Sequence, residues 1–276
     1  IVNFERVQGS GFNDSLTGDG GLNLLVGSGG DDTLVGAGGN DQLFGDEGTD
    51  RLFGGSGRDF IEGGSGDDFI DGGIGADMLD GGGGTMDTLS YLQSSGAVTV
   101  DLSTNTATGG DATGDTIVNF ERVQGSGFND SLTGDGTANV LRGNAGNDTL
   151  SGGGGNDRLF GGAGMDRIIG GSGRDILRGE GDADDFVFLA STDSAVGAPD
   201  VIDDFSSSAG DGDRIDLSAF ATAFQGTAFT GAAGDVIANA SGGVTLVEVD
   251  VDGDQNADFA LHLTGAPILT ASDFVL

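Results

Sequence analysis

A nine-residue period constrains this chain more than any other feature. From Gly9 to Asp80 run GSGFNDSLT, GDGGLNLLV, GSGGDDTLV, GAGGNDQLF, GDEGTDRLF, GGSGRDFIE, GGSGDDFID and GGIGADMLD, and seven more units run from Gly125 to Val187. All fifteen units begin with Gly and carry an apolar residue at position 8: eleven Leu, then Ile61, Ile70, Ile168 and Phe186. Position 6 is Asp in thirteen units and Asn in two, Asn23 and Asn139. Position 4 is Gly in eleven; the exceptions, Phe12, Phe128, Thr137 and Asp182, lie at the array ends. One apolar residue per nine cannot be buried within its own unit, so the units must stack.

Positions 7–9 make a brief strand with position 8 on one face. Glycine at positions 1, 2 and 4 admits backbone conformations closed to other residues, so six residues suffice for a tight turn. Two strands and two turns make a coil of 18 residues, which places residue i beneath i+18. Leu34 is then expected between Leu16 and Leu52, and Leu43 between Leu25 and Ile61. The fold class is all-β: two parallel β-rolls of 18 residues per coil, joined by a β spacer and followed by a C-terminal β capping domain.

Composition agrees and excludes alternatives. There are 58 Gly with no three-residue period and only two Pro (Pro199, Pro267), which rules out collagen. Gly and Asp are poor helix formers. The 45 acids, 39 of them Asp, face ten Arg and no Lys, a formal charge of −35 that repels nucleic acid and anionic membrane surfaces. That charge disfavours a compact state unless something positive neutralises it. Without Cys, and with His262 as the one histidine, there is no disulfide, thiolate site or multi-His zinc site. No HExxH or GxSxG motif occurs, and no apolar run approaches the roughly 18 residues that span a bilayer. Ile1 to Val7 lack an initiator Met and a basic region, so the chain is expected to begin inside a longer gene product.

Stacking brings position-6 carboxylates such as Asp32, Asp50 and Asp68 into columns at roughly the 4.8 Å spacing of adjacent strands. Like charges so close require a cation. Ca²⁺ takes six to eight hard oxygen ligands, carboxylates and backbone carbonyls together, which two successive turns can supply. Zn²⁺ would favour N and S ligands that are absent, and Mg²⁺ retains water in a strict octahedron.

The pattern resembles the GGxGxDxUx nonapeptide of RTX (repeats-in-toxin) proteins, a calcium-binding parallel β-helix family. The resemblance implies calcium ligands from position-6 aspartates and loop carbonyls of one turn together with the turn below. In the first array these are Asp14, Asp32, Asp41, Asp50, Asp59, Asp68 and Asp77, with Gly30, Gly39, Gly48, Gly57, Gly66 and Gly75, and with Asp87 one residue out of phase. In the second they are Asp130, Asp148, Asp157, Asp166, Asp175 and Asp184, with Gly146, Gly155, Gly164 and Gly173. If each site needs an i, i+18 pair, the arrays hold six and five ions, about eleven Ca²⁺, which moves the charge from −35 to about −13. Sites at the array ends, and those at Asn23 and Asn139, should be weakest. The metal-free chain has the charge of a disordered one, so binding and folding should be one event.

Between and after the arrays the texture changes. TLSYL, AVTVDL and DTIVNFERVQG alternate apolar and polar residues and read as spacer strands, with Tyr91 a packed aromatic. Residues 1–20 recur identically at 117–136, an offset of 116, so further copies of the module are expected upstream. Outward apolar stripes (Val35, Phe53, Phe69; Leu24, Val26, Phe44, Phe60, Met78; Phe160, Ile169, Ile176) are expected to be covered by the spacer, the other array or the C-terminal region, the alternative being a docking surface for a missing partner domain or an oligomer contact. The expected organisation is 1–8 as the tail of a preceding spacer, 9–86 as the first roll, 87–124 as the spacer, 125–187 as the second roll and 188–276 as the capping and secretion-signal domain.

From Phe186 onward, FVFLASTDS, PDVIDDFSSSAGDGDRIDLSAF, GVTLVEVDVDGDQNADFALHL and ILTASDFVL resemble the C-terminal domain of serralysin-type peptidases and related type I secreted proteins. In that family a terminus like Asp273-Phe274-Val275-Leu276 belongs to an uncleaved signal read by an ABC-transporter secretion machine. Asp250, Asp252 and Asp254, with Asn256 and Asp258, are similar to an EF-hand loop, but Leu261 stands where the loop's twelfth residue, Glu, belongs. Asp200, Asp203, Asp211 and Asp213 are candidates for a capping calcium, and His262 for a structural role. The expectation is a non-enzymatic calcium-binding RTX region that folds outside the cell, supports type I secretion and stabilises an attached protein. The alternatives are the non-catalytic tail of a secreted peptidase, lipase or alginate epimerase, or part of a repeat adhesin or S-layer-like protein. Its place would be extracellular or at the bacterial cell surface, with an upstream domain of the parent chain as a candidate partner.

Overall fold

Every apolar position 8 stacks on its counterpart one coil away. In the computed structural model, which describes residues 5–207, 212–265 and 268–276, Leu34 pairs with Leu16 and Leu52, and Leu43 with Leu25 and Ile61. The side chains of Leu25, Leu34, Leu43, Leu52, Ile61 and Ile70 have no exposed surface. Helix accounts for 2% of the chain, which divides into two units, Ile1–Leu132 and Thr133–Leu276.

In the first unit, strands Arg6–Gln8, Leu24–Gly29, Gln42–Glu47, Phe60–Ser65 and Met78–Gly82 form one parallel sheet. Ser15–Thr17, Thr33–Gly38, Arg51–Gly57 and Phe69–Gly75 form the other. The interior strands are longer than positions 7–9, because pairing resumes after the corner. Val26 pairs with Phe44, Gly27 is skipped, and Ser28 pairs with Asp46. Position 2 tolerates side chains in the left-handed region, as at Ser28 (φ 86°) and Asp46 (φ 71°). Position 4 inside an array is tighter: Gly48 has φ 135°, and a Cβ there would lie 2.0 Å from the Gly30 carbonyl oxygen, whereas Asp182 takes φ 71° at position 4 of the last unit.

The spacer continues the roll. An extra residue is absorbed in the turn before Thr88, so Phe69 pairs with Thr88 and Ile70 with Leu89. Met78 pairs with Thr116 and Leu79 with Ile117 after a longer excursion containing the antiparallel pair Thr99–Asp101 and Thr106–Thr108. Tyr91 is buried there as expected.

Because the spacer stacks on the end of the roll, it leaves the faces open. The outward stripes of this array are half-exposed rather than covered, and Met78 is exposed. Aromatic residues of adjacent coils pack on each other instead: Phe44 on Phe60 at 5.6 Å between centroids, Phe53 on Phe69 at 5.7 Å. The Arg51 guanidinium lies 4.7 Å from the Phe69 ring centre.

In the second unit, Val140–Ala145, Arg158–Ala163 and Ile176–Gly181 build one sheet, and Thr149–Gly155, Arg167–Gly173 and Asp185–Val187 the other. Phe160, Ile169 and Ile176 are likewise half-exposed, with Arg142 4.2 Å above the Phe160 ring. The C-terminal segment caps the roll by extending both sheets. Asp200–Ile202 pairs with Ile176–Gly181 and with Phe259–Thr264, whose antiparallel neighbour is Val244–Asp250. Arg214–Asp216 pairs with Asp185–Val187 and with the last strand, Phe274–Val275. Phe186, Phe188 and Phe259 fill the junction, the last two edge to face at 5.1 Å.

This core predicts a graded response. In calcium, Leu43→Ala should cost about 2–5 kcal/mol through the cavity it leaves. Phe44→Ala, whose ring is half-exposed, should cost about 1 kcal/mol. Urea unfolding midpoints of the two variants against the parent measure the difference.

Candidate metal centre

The position-6 aspartates, all but the half-exposed Asp14, are buried at the corner after each turn. One carboxylate oxygen of each ties adjacent coils together. The Asp14 N–H donates to Asp32 Oδ1 at 2.7 Å, Asp32 N–H to Asp50 Oδ1 at 2.7 Å, and Asp50 N–H to Asp68 Oδ1 at 2.7 Å. On the opposite edge Asn23, Asp41 and Asp59 donate in the same way to Asp41, Asp59 and Asp77. In the second unit Asn139 donates to Asp157, Asp157 to Asp175, Asp148 to Asp166, and Asp166 to Asp184.

The second oxygen is left over. Oδ2 of Asp32, Asp41, Asp50, Asp59, Asp68 and Asp77, and of Asp157, Asp166 and Asp175, is buried with no hydrogen-bond partner among the described residues. Each points at the Gly opening its own turn. A Cβ on Gly45 would sit 2.3 Å from Asp50 Oδ2 and 2.3 Å from the Gly63 carbonyl oxygen. On Gly54 it would sit 2.5 Å from both Asp59 Oδ2 and Gly72 O, and on Gly152 2.3 Å from Asp157 Oδ2 and 2.5 Å from Gly170 O. The missing side chains leave room where a carboxylate oxygen and, at these glycines, a carbonyl of the next coil converge. The all-oxygen donor set fits calcium. The position-4 carbonyls of Gly30, Gly39, Gly48, Gly57, Gly66, Gly146 and Gly155 lie instead against the glycine 18 residues on.

The array starts differ. Asp14 Oδ2 accepts the Ser10 N–H at 2.6 Å and hydroxyl at 2.9 Å, and Asp130 Oδ2 accepts the Ser126 N–H at 2.5 Å. Asn23 Oδ1 accepts the Asp19 N–H and Asn139 Oδ1 the Asp135 N–H. These oxygens are already engaged within their own turns, a physical ground for weaker sites at the ends.

The columns run beyond the repeats. Asp87 Oδ1 accepts the Asp68 N–H, and Asp87 N–H donates to Glu121 Oε2 at 3.0 Å. Asp115, which the repeat pattern does not reach, accepts the Asp77 N–H on one oxygen and the Tyr91 hydroxyl at 2.9 Å on the other. Asp200 and Asp213 accept the N–H groups of Asp175 and Asp184, and Asp200 Oδ2 is buried without a partner among the described residues. Asp203 instead pairs with Arg178, and Asp211 lies outside the described residues. The signal for Asp115, which the repeat pattern missed, is the triplet Asp-x-apolar without its glycines, Asp115-Thr116-Ile117, a form shared by the capping candidates Asp200-Val201-Ile202 and Asp213-Arg214-Ile215. A second ladder, also missed, uses position 5. Asn13 Oδ1 accepts the Asp31 N–H, Asp31 the Thr49 N–H, Asn40 the Arg58 N–H and Asn156 the Arg174 N–H.

Carboxylate oxygens of Asp250, Asp252 and Asp254 lie within 4.8 Å of one another, Asp250 buried and the others exposed. Asp250 accepts N–H groups from Gly253 and Gln255, and Asp254 one from Asn256, so the loop closes on its own backbone. His262 is half-buried in strand Phe259–Thr264, opposite Leu246.

Burial pushes these carboxyls up: Asp68, Asp77 and Asp157 to about 7, Asp175 to about 6, Asp184 and Asp200 to about 8. The ladder amide opposes burial in each, and neighbouring carboxylates add to it.

Residues 126–276 match the family described as peptidase M10 serralysin C terminal. This chain belongs to that family. Residues 4–34, 18–52, 26–61 and 53–85 match the RTX calcium-binding nonapeptide repeat, so the repeats are RTX repeats and bind calcium. Both matched regions are non-catalytic and typical of type I secretion substrates, and no helix among the described residues is long and apolar enough to cross a membrane. Similar solved structures include the AlgE6R3 and AlgE6R2 subunits of the Azotobacter vinelandii mannuronan C5-epimerase. The first is 31% identical over 54% of this chain and 78% of that one, TM-score 0.24. The second is 28% identical over 55% and 89%, TM-score 0.29. The extracellular lipase LipA of Serratia marcescens is 18% identical over 94% of this chain, which spans 39% of the lipase, TM-score 0.20.

The raised carboxyls of this RTX roll predict an inverted pH response without metal. A carboxyl with a folded pKa of about 6 to 8, against 3.8 unfolded, stabilises the fold below about pH 4 and loses that contribution as pH rises through its folded value. In excess EDTA, acidifying from about pH 8 to about pH 5 should therefore raise β content. In saturating calcium the same change should weaken binding, since protons compete for the ligands. Far-UV circular dichroism along both titrations checks the opposed signs.

Proposed function

We propose that this chain is a calcium-gated folding region of a type I secreted bacterial protein: unfolded where free calcium is scarce, folded outside the cell, and there stabilising whatever protein it is joined to. The observation that carries the reading is the file of buried Asp Oδ2 atoms without hydrogen-bond partners among the described residues, with those of Asp32, Asp41, Asp50, Asp59, Asp68 and Asp157 converging with a carbonyl of the next coil on the glycine that opens the turn. Position-6 carboxylates and turn carbonyls would hold about eleven Ca²⁺ in the rolls, with Asp200 extending one column into the C-terminal segment. Bound calcium supplies the positive charge that lets stacked carboxylates remain ionised. A ligand that binds only the folded state adds RT ln(1 + [Ca²⁺]/Kd) per site, about 2.7 kcal/mol at a hundredfold excess over Kd.

The C-terminal Asp273-Phe274-Val275-Leu276 is the segment we assign to the ABC-transporter machinery. In the folded chain Asp273 and Phe274 are buried, and Phe274 stacks on Phe224 at 5.1 Å. The first half of the signal is therefore covered once the fold forms, while Leu276 stays exposed, which suits a signal read from a chain held open by lack of calcium. The match of residues 126–276 to a peptidase C-terminal family favours a second reading alongside the first. In it the region is the non-catalytic tail of a secreted enzyme, and any hydrolytic activity of these 276 residues alone would count against it.

Circular dichroism in EDTA should show little β structure and in millimolar calcium the full roll; equal spectra would refute the proposal. Gly45→Ala is the sharper test. Its Cβ would lie 2.3 Å from both Asp50 Oδ2 and the Gly63 carbonyl oxygen and so displace them. Calorimetry should lose about one ion per chain, and the calcium midpoint for folding should rise severalfold.

A further inference from the structure

Two open outer faces, one in each unit, carry side chains of opposite charge. In the first unit, strands Gln42–Glu47, Phe60–Ser65 and Met78–Gly82 place Gln42, Phe60 and Met78 in one outward column. Phe44, Glu62 and Asp80 form the column beside it. Phe44, Phe60 and Glu62 are half-exposed, and Met78 is exposed. The two carboxylates sit on adjacent coils with no base among these six residues. Asp80 also accepts the Asn119 side-chain amide at 2.8 Å.

In the second unit, strands Val140–Ala145, Arg158–Ala163 and Ile176–Gly181 place Val140, Arg158 and Ile176 in one column and Arg142, Phe160 and Arg178 in the other. Base and apolar residue alternate like the squares of a chequerboard. In a chain of 45 acids and ten bases, this grid holds three arginines and no acid. Arg142 and Arg158 are exposed, and neither they nor Glu62 form an ion pair with a described residue; Arg178 is held by Asp203. The Arg142 guanidinium rests over the Phe160 ring at 4.2 Å, which keeps ring and charge on one surface.

Both grids are two columns wide and three coils long, with the common pitch of roughly 4.8 Å set by parallel strands. A second roll therefore matches the spacing as well as the sign, whereas an unrelated acidic protein would match only the sign.

We propose that the face around Glu62 is a docking surface for the face around Arg158 of a second copy of this chain. With strands of the two copies antiparallel and coils rising in the same direction, Glu62 faces Arg158, Phe60 faces Phe160 and Gln42 faces Arg142. Asp80 then lies one coil from Arg158. Burying the half-exposed rings drives the contact, and the charge pair fixes register and partner. The formal −35 opposes association, so the contact is weak and belongs to the calcium-loaded roll, in which that repulsion is reduced. Since every molecule carries both faces, copies can pair reciprocally or add in a row, and either raises the mass.

In calcium, analytical ultracentrifugation should show the chain associating at roughly 200 µM and monomeric at roughly 2 µM, the range of a weak interface. R158E and E62R, which set like charges against each other, should each raise the association midpoint at least tenfold. An equimolar mixture of the two variants should associate as the parent does, and so should the double variant E62R/R158E, because the reversed pair is complementary again. Raising salt from roughly 50 mM to roughly 500 mM should weaken association severalfold. Both faces exist only in the folded roll, which ties the contact to the calcium-dependent folding proposed above; circular dichroism of the same samples separates loss of fold from loss of contact. A parent that stays monomeric at the higher concentration with full β content leaves the faces to another partner and overturns the proposal. So does R158E associating like the parent, or a mixture that fails to pair.

Discussion

The fold depends on a carboxylate that is half satisfied. Each buried Asp at position 6 accepts one backbone N–H from the coil before it, which sets the coils in register. Its other oxygen, in the interior turns, is left buried without a hydrogen-bond partner among the described residues at Asp32, Asp41, Asp50, Asp59, Asp68, Asp77, Asp157, Asp166 and Asp175. An unpaired buried carboxylate is costly, and here the cost recurs at every interior turn. The leucine column beneath it is thin, one residue per nine, so apolar burial alone is small for a chain of this length. Stability has to come from whatever satisfies the second oxygen. The formal −35 is largely this requirement repeated along two arrays.

The parts of the structure that obey the period were readable from the amino acids. Leu34 between Leu16 and Leu52 follows from counting, as does the alignment of Asp32, Asp50 and Asp68. The parts that escaped are those where geometry persists after the period has lapsed. Asp115 and Glu121 finish the two columns of the first unit, but 38 and 34 residues separate them from the amides they serve. That separation is set by how the intervening hairpin folds, which no local pattern encodes. The aromatic stripes were misjudged for a related reason. Apolar residues on an outer face suggest a cover, yet stacking in a parallel sheet lets each ring lie on the ring of the next coil, so half-exposure costs little. The Asn and Asp residues at position 5 looked like ordinary turn residues, and only the 18-residue register turns them into a ladder.

Tyr91 shows how an array can be ended. Asp115 occupies a place in the column where a repeat would leave Oδ2 open, and the Tyr91 hydroxyl supplies a proton donor there. The spacer thus keeps the coil-to-coil amide bond while satisfying the second oxygen internally. Serine does this at the beginnings of the arrays, through Ser10 and Ser126. Calcium-dependent interior and self-satisfied ends are built from the same backbone, differing in one neighbouring side chain.

The amide-to-carboxylate ladder also gives the roll a direction. Every coil offers N–H groups toward the C-terminal side and carboxylates toward the N-terminal side, so its two ends are chemically unlike. A terminator on the C-terminal side needs only acceptors, and Glu121, Asp115, Asp200 and Asp213 provide them without any glycine repeat. A starter on the N-terminal side must bring donors, as Val98 does. Rolls of this kind can be concatenated head to tail, like magnets laid in a row, whereas two identical ends meeting would set carboxylate against carboxylate. Polarity of this sort makes elongation by gene duplication straightforward and makes symmetric end-to-end pairing self-defeating.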